Sequence, residues 1–116
     1  MIRLADPLGR PGTAREFRCT VHGLCFENRY HRLDALHAGD PLVLLREPDN
    51  EIGADAILVL NERTETLGYV PRTISRWLAP AMDAGYRPRA TVLKVRSGCP
   101  YYERLVMEVR VGNRTL

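Results

Sequence analysis

The sequence predicts a mostly β fold: a small, partly closed six-stranded barrel with a kinked helical segment between the fourth and fifth strands. Three observations predict it. Short alternating or continuous apolar segments recur along the chain, with turn residues between them. One later stretch carries apolar residues at helical spacing. The sequence lacks the repeated strand–helix–strand pattern that would indicate a parallel sheet. Its 116 residues are enough for one domain.

The first strand is predicted in the segment EFRCTVHGL. Phe17, Cys19 and Val21 alternate there with polar neighbours, which is the pattern of a half-buried strand. A polar connection follows, and Leu33 and Leu36 indicate a short helical turn before the next strand.

The second, third and fourth strands are predicted in PLVLLRE, AILVL and ETLGYV. The first two of these are short continuous apolar runs with turn residues on either side, which favours strands covered on both faces. The third contains Gly68, and a glycine inside a strand often marks a bulge or a close approach of another backbone.

A helix is predicted to begin at Pro71 and to end at Gly85. Its apolar stripe, read as core, comprises Ile74, Trp77, Leu78, Ala81 and Met82. Pro80 interrupts the run, so a kink or two short helices are expected there. The segment RPRATVLKVRSGCPYYERLVMEVRV then predicts the last two strands as a hairpin, with its turn at SGCP.

The barrel domain is expected over residues 15–111, between an irregular lead-in at 1–14 and a short tail at 112–116. No apolar run approaches the length that crosses a bilayer, and the first residues lack the layout of a secretion signal. A cytoplasmic protein with no membrane partner is therefore expected.

The basic residues are almost all arginine. Lys94 is the only lysine among 17 basic residues, and the formal net charge is +3. Arginine suits phosphate binding and stacking on bases, but a GC-rich genome produces the same bias. Net charge alone does not decide between the two explanations.

Three cysteines and a histidine have the residue types of a zinc site: Cys19, His22, Cys25 and Cys99. Alternation along a strand places Cys19 and His22 on opposite faces, which opposes a shared metal ion. The odd number of cysteines and the absence of an export signal favour reduced, free thiols. No metal and no other cofactor are expected.

Nothing in the sequence predicts catalysis. The three histidines form no visible triad with a nucleophile, and Cys25 lies between apolar residues with no evident activating base. The glycines are scattered rather than gathered in a phosphate-binding loop.

Four motifs together resemble the HIRAN domain: Phe17-x-x-x-Val21-x-Gly23, GDPLVLLREPDN, DAILV and LGYVPR. The resemblance covers residues 15–111 and implies an OB-like barrel that binds single-stranded DNA and, in the best-understood members, captures its 3′ end. HIRAN domains occur alone in bacteria and also in large repair translocases. The hydrolase and zinc labels of those translocases belong to domains that this sequence does not contain.

The resemblance also implies a pocket. Its residues here are Phe26 as a stacking surface and Asn50 in the turn, with Tyr101 or Tyr102 as the aromatic of the hairpin. The rim departs from the family pattern at three positions: Cys25 stands where a basic residue can occur, and Ile52 and Gly53 replace a Tyr-Asp pair. Arg46 and Arg72 are the candidate phosphate ligands.

The sequence thus predicts a non-catalytic, monomeric module that binds single-stranded DNA or DNA ends in replication or repair, beside a helicase or nuclease acting in trans. The alternative is a protein-interaction adaptor that kept the barrel and lost the pocket. Salt separates the two, because binding to phosphates weakens steeply as salt rises.

Overall fold

The structure, a computed structural model, describes residues 16–24, 26–96 and 100–112. The strands within these ranges are β1 Glu16–Thr20, β2 Pro41–Arg46, β3 Ile57–Leu60, β4 Thr66–Tyr69, β5 Arg89–Val95 and β6 Leu105–Arg110. A 3-10 helix spans Phe26–Ala35, helix α1 spans Arg72–Asp83, and helix α2 spans Tyr101–Arg104. The expected lead-in at 1–14 lies outside the described residues, as does the expected tail beyond Gly112.

The six strands form one antiparallel sheet in the order β1-β6-β5-β2-β3-β4, and this sheet curls until its two ends meet. His22, just beyond β1, donates its backbone N–H to the carbonyl of Tyr69 at the end of β4, with an N–O distance of 2.9 Å. The N–H of Tyr69 returns a bond to the carbonyl of His22 at 2.7 Å. One bridge therefore joins the two ends, and the prediction of a partly closed six-stranded barrel is confirmed.

Gly68 makes this closure possible. A Cβ atom on Gly68 would overlap the carbonyl oxygen of His22 and lie 2.8 Å from Cγ1 of Val21. The register between β3 and β4 also shifts opposite this part of β4, at Val59/Leu60. Both consequences predicted for a glycine inside the strand, a bulge and a close backbone approach, are present.

The sheet is weakest between β2 and β5. Only Pro41 and Leu42 pair with β5, and the continued register would set Leu44 opposite Pro88, which has no N–H to extend the ladder. The outward side chains of β2 are also uncovered, with Val43 45% and Leu45 49% exposed. The prediction that both continuous apolar strands are covered on both faces is confirmed for β3, which is buried throughout, and is wrong for β2.

Helix α1 packs its predicted apolar stripe into the barrel, and the ring of Trp77 meets that of Phe17 edge-on, with centroids 5.3 Å apart. Of the two outcomes expected at Pro80, two short helices are excluded, because the helix continues to Asp83. Pro80 has no N–H to donate to the carbonyl of Arg76, four residues earlier. Because Pro80 and Arg76 are both exposed, this carbonyl can bind water instead.

The predicted end of α1 at Gly85 is confirmed by a Schellman motif. Gly85 has a φ of +107°, and its N–H donates to the carbonyl of Met82. The N–H of Tyr86 donates to the carbonyl of Ala81 at 3.0 Å. At the other end, the first helical residue is Arg72, one position later than predicted.

One helical segment is longer than the sequence predicts, and another is not predicted at all. The expected short turn is a ten-residue 3-10 helix that packs on β4, with Arg29 and Leu33 buried. The expected hairpin contains α2 just before β6, while residues 97–99 of its predicted turn lie outside the described residues. In the ranges that the structure describes, no helix has the length and apolar character to span a bilayer.

Candidate nucleic-acid interface

A cleft of about 190 Å³ opens where β4 ends and α1 begins. The loop that follows β2 forms one wall, and the first turn of α1 forms the other. Its lining residues are Asn50, Ile52, Gly53, Asp55, Ala56, Tyr69, Val70, Arg72 and Ser75. Four of the predicted site residues, Asn50, Ile52, Gly53 and Arg72, are therefore brought together here.

Asn50 shapes the loop wall. Its Oδ1 accepts bonds from the backbone N–H groups of Ile52, at 2.9 Å, and Gly53, at 3.3 Å, which closes a tight side-chain-to-backbone turn. Its Nδ2 donates to the Glu47 carboxylate and to Oη of Tyr69. Asn50 thus spends its hydrogen-bonding groups within the protein and organises the cleft.

Arg46 braces the same loop from behind. Its Nη1 donates to the carbonyl of Ala56 at 2.7 Å and its Nη2 to that of Ala54 at 2.8 Å. The guanidinium also forms a two-pronged pair with Asp83 near the end of α1, with distances of 3.0 and 3.2 Å. Because only 16% of the side chain is exposed and all three nitrogens are engaged, this geometry favours a structural role over phosphate binding.

Arg72 differs from Arg46 in its exposure and in its hydrogen bonding. It is exposed, and within the described ranges its guanidinium has no hydrogen bond or ion pair. A Cβ atom on Gly53 would lie 3.7 Å from Nη2 of Arg72 and 3.0 Å from Oδ1 of Asp55. Gly53 therefore leaves open a space that a carboxylate and a guanidinium both border.

Tyr69 is the aromatic residue that the structure places in the cleft. Its Oη donates to the Glu47 carboxylate at 3.3 Å, and the guanidinium carbon of Arg29 lies 5.8 Å from the centre of its ring. Arg29, a residue of the 3-10 helix, is itself buried. The ring is therefore held at both its edge and its face.

Tyr69 is not among the site residues that the sequence predicts. A signal was present. Leu67 and Tyr69 lie on the same face of β4 by alternation, and Tyr69 is the last residue of the strand, where the buried face meets the opening. Asp55 is likewise not among the predicted site residues, since its proximity to Gly53 depends on how the loop folds.

Several predicted site residues cannot be placed in this cleft. Cys25 lies outside the described residues, and so do the side chains of Phe26, Tyr101 and Tyr102. Ile52 does line the cleft, but 86% of its surface is exposed.

The described residues show no metal site formed by the set Cys19, His22, Cys25 and Cys99. The thiol of Cys19 is buried, and this burial raises its pKa to about 12. His22 is exposed on the other face of the strand, as the alternation predicted. Cys25 and Cys99 lie outside the described residues. The described part of the chain contains no cluster of three His, Cys, Asp or Glu side chains suited to a metal ion.

A second, larger groove of about 690 Å³ lies where β2 and β5 diverge. The exposed side chains of Val43 and Leu45 form its apolar floor, Met82 and Tyr86 line its side, and Arg87 is among its basic residues. The groove is larger than the cleft beside Arg72, and two exposed apolar side chains lie in it.

The fold has solved counterparts. A crystal structure of a protein from Lactobacillus plantarum matches with a TM-score of 0.72 and 25% identity, over 84% of this chain and 94% of that one. The crystal structure of the HIRAN domain of human HLTF matches with a TM-score of 0.60 and 21% identity, over 84% of this chain and 76% of that one. At 21% identity the second similarity shows the fold alone.

Sequence relatives occur among plant nucleases. The chain is 41% identical over 61 residues to a Fanconi-associated nuclease 1 homolog of Oryza sativa subsp. japonica, and 36% identical over 55 residues to that of Arabidopsis thaliana. These matches cover 50% and 47% of the chain but only 6% of the length of each relative. The HIRAN domain family matches residues 14–110, nearly the whole chain. The chain therefore belongs to the HIRAN family, whose domains are generally DNA-binding modules.

Proposed function

We propose that this protein is a non-catalytic module that binds single-stranded DNA and holds the 3′ end of the strand in the cleft between the 47–56 loop and α1. The observation that carries the proposal is Arg72, an exposed guanidinium without a protein partner among the described residues, which lines the same cleft as the aromatic ring of Tyr69. Barrels of this type bind strands by stacking bases on aromatic rings while basic residues contact the phosphates.

The proposed arrangement divides the nucleotide between two walls. The ring of Tyr69, fixed by Arg29 and Glu47, offers the base an immobilised surface, so little side-chain entropy is lost on binding. The planar guanidinium of Arg72 binds the adjoining phosphate through two N–H groups. Arg46, which the sequence favoured as a phosphate ligand, keeps the loop in place from behind.

End recognition is assigned to Asp55. The Asp55 carboxylate borders the space left by Gly53, where it can accept a hydrogen bond from a terminal hydroxyl. A terminal phosphate would add about −1.5 to −2 charges beside that carboxylate and would be repelled. Asp55 thereby takes over the role of the carboxylate that the family pattern has at position 53.

We further propose that the module serves DNA replication or repair and delivers DNA ends to a helicase or nuclease in trans. Support comes from the two plant relatives, which carry the name of a nuclease and in which the matched segment is a small part of the chain. Catalysis would then belong to the partner.

The direct test is fluorescence anisotropy with 5′-labelled single-stranded DNA ending in a 3′-hydroxyl or a 3′-phosphate, with a strand labelled and blocked at its 3′ end as control. We expect the 3′-hydroxyl strand to bind about tenfold more tightly than the others, a difference of about 1.4 kcal/mol. Affinity should fall as salt rises.

Asp55→Asn is the matched variant, because it removes the charge and keeps the shape. It should bind the 3′-phosphate strand nearly as well as the 3′-hydroxyl strand. Equal binding of all strands by the unmodified protein would leave a strand-binding barrel without end recognition. No binding at low salt would contradict the proposal and favour the second candidate, a protein adaptor that uses the groove floored by Val43 and Leu45.

A further inference from the structure

The exposed face of α1 carries a second guanidinium beyond the cleft. Arg72 and Arg76 are both exposed and lie four residues apart, so they share one face of the helix and are about 6 Å apart along its axis. In the part of the chain that the structure describes, neither guanidinium has a hydrogen bond or ion pair. Two positive charges without a direct ion pair among the described residues therefore follow each other along the surface, starting at the cleft.

The other wall of the cleft has the opposite charge. Residues 47–55 contain four carboxylates, Glu47, Asp49, Glu51 and Asp55, and no basic residue. Among the described side chains of the 3-10 helix, Arg32 offers no substitute route, because it already donates to the carbonyl of Thr66 and lies 3.9 Å from Glu65. A polyanion that leaves the cleft is repelled on the loop side and attracted on the α1 side.

The basic stretch also has a defined end. The exposed face of α1 continues from Arg76 to Pro80 and then to Asp83, the first acidic residue of the helix. Asp83 is held by Arg46 at 3.0 Å, so its carboxylate stays at this position. The favourable surface is therefore two arginines long.

We propose that this face of α1 is a phosphate-binding track: Arg72 binds the phosphate nearest the end of the strand, and Arg76 binds the next one. The track rests on the proposed strand binding in the cleft and sets the route by which the strand leaves it. The 6 Å step between the two residues is comparable to the spacing of neighbouring phosphates in an extended strand.

The test uses an eight-nucleotide strand with a free 3′-hydroxyl and, in two further strands, a neutral methylphosphonate at the second or the fifth linkage from the 3′ end. Arg76→Ala should bind the unmodified strand about three- to tenfold more weakly. It should also lower the slope of log affinity against log salt by about 0.7. The methylphosphonate at the second linkage should weaken binding to the unmodified protein but not to Arg76→Ala.

Arg63→Ala is the matched control, with the same charge change at the β3–β4 turn, and Arg76→Lys should keep most of the binding. Equal effects of Arg76→Ala and Arg63→Ala would overturn the track. So would a loss in Arg76→Ala that does not depend on where the methylphosphonate lies. In both cases the unmodified protein would still bind DNA and the proposed function would stand. Failure of the unmodified protein to bind any strand would overturn both.

Discussion

Gly68→Ala is expected to lower the free energy of unfolding by more than about 3 kcal/mol, a large share of the 5–15 kcal/mol typical of a domain. The added methyl group would overlap the carbonyl oxygen of His22 and lie 3.1 Å from its carbonyl carbon. Both are backbone atoms, held by the pair of hydrogen bonds that closes the barrel, so neither can move without opening it. Urea denaturation followed by circular dichroism measures the loss.

The matched control is Gly53→Ala, the same substitution in the 47–56 loop. The atom nearest its new Cβ would be Oδ1 of Asp55, at the end of a side chain that can turn aside. We expect it to change stability by less than about 1 kcal/mol. Similar stability losses in the two variants would mean that barrel closure at Gly68 is not the constraint described above.

Arg72→Glu is expected to weaken binding of single-stranded DNA about 100-fold or more. The change removes a guanidinium that has no hydrogen bond or ion pair among the described residues, and it sets a second carboxylate near Asp55, where the proposed phosphate contact would be replaced by repulsion. Folding should not suffer, because Arg72 is exposed at the first position of α1, where a negative charge interacts favourably with the helix dipole. Anisotropy at constant salt measures the loss, and Tm checks the fold.

Arg63→Glu provides the same change in charge elsewhere. Arg63 lies in the turn at the far end of β3 and β4, about 13 Å along the strands from the cleft, which exceeds the screening length at physiological salt. Binding should therefore change by no more than about twofold. Arg72→Lys should lie between, because it keeps the charge and loses the planar fork. Equal losses in Arg63→Glu and Arg72→Glu would indicate attraction by net charge rather than a site.

The barrel closure and the cleft depend on the same few residues. Tyr69 supplies the backbone bonds that join β4 to His22, and its side chain lines the cleft. Gly68 beside it allows the two backbones to approach. A variant that opens the barrel at this point should therefore lose DNA binding together with stability, whereas Arg72→Glu should lose binding alone.

The strands and α1 could be predicted because their patterns are local. Alternation, short apolar runs and helical spacing are set by which side chains must reach the core, and the structure places them accordingly. The error at β2 has a long-range cause. Its apolar run matches a strand covered on both faces, but whether another element packs on the outward face depends on the rest of the fold and not on the run itself.

The site was less predictable because two arginines of the same type have different surroundings. Arg46 and Arg72 are equivalent in the sequence argument. Only the fold brings the carbonyls of Ala54 and Ala56 and the carboxylate of Asp83, 37 residues away, around the first and leaves the second open. The length of the 3-10 helix also escaped prediction, because its polar sequence has no clear apolar period.

The most direct measurement is an NMR titration of the ¹⁵N-labelled protein with an eight-nucleotide single strand ending in a 3′-hydroxyl. Binding in the cleft predicts that the largest amide shift changes fall at residues 50–56 and 68–73, with little change at 41–45 and 86–91. Changes concentrated at 41–45 and 86–91 would place the strand in the groove between β2 and β5 and would contradict the proposed site.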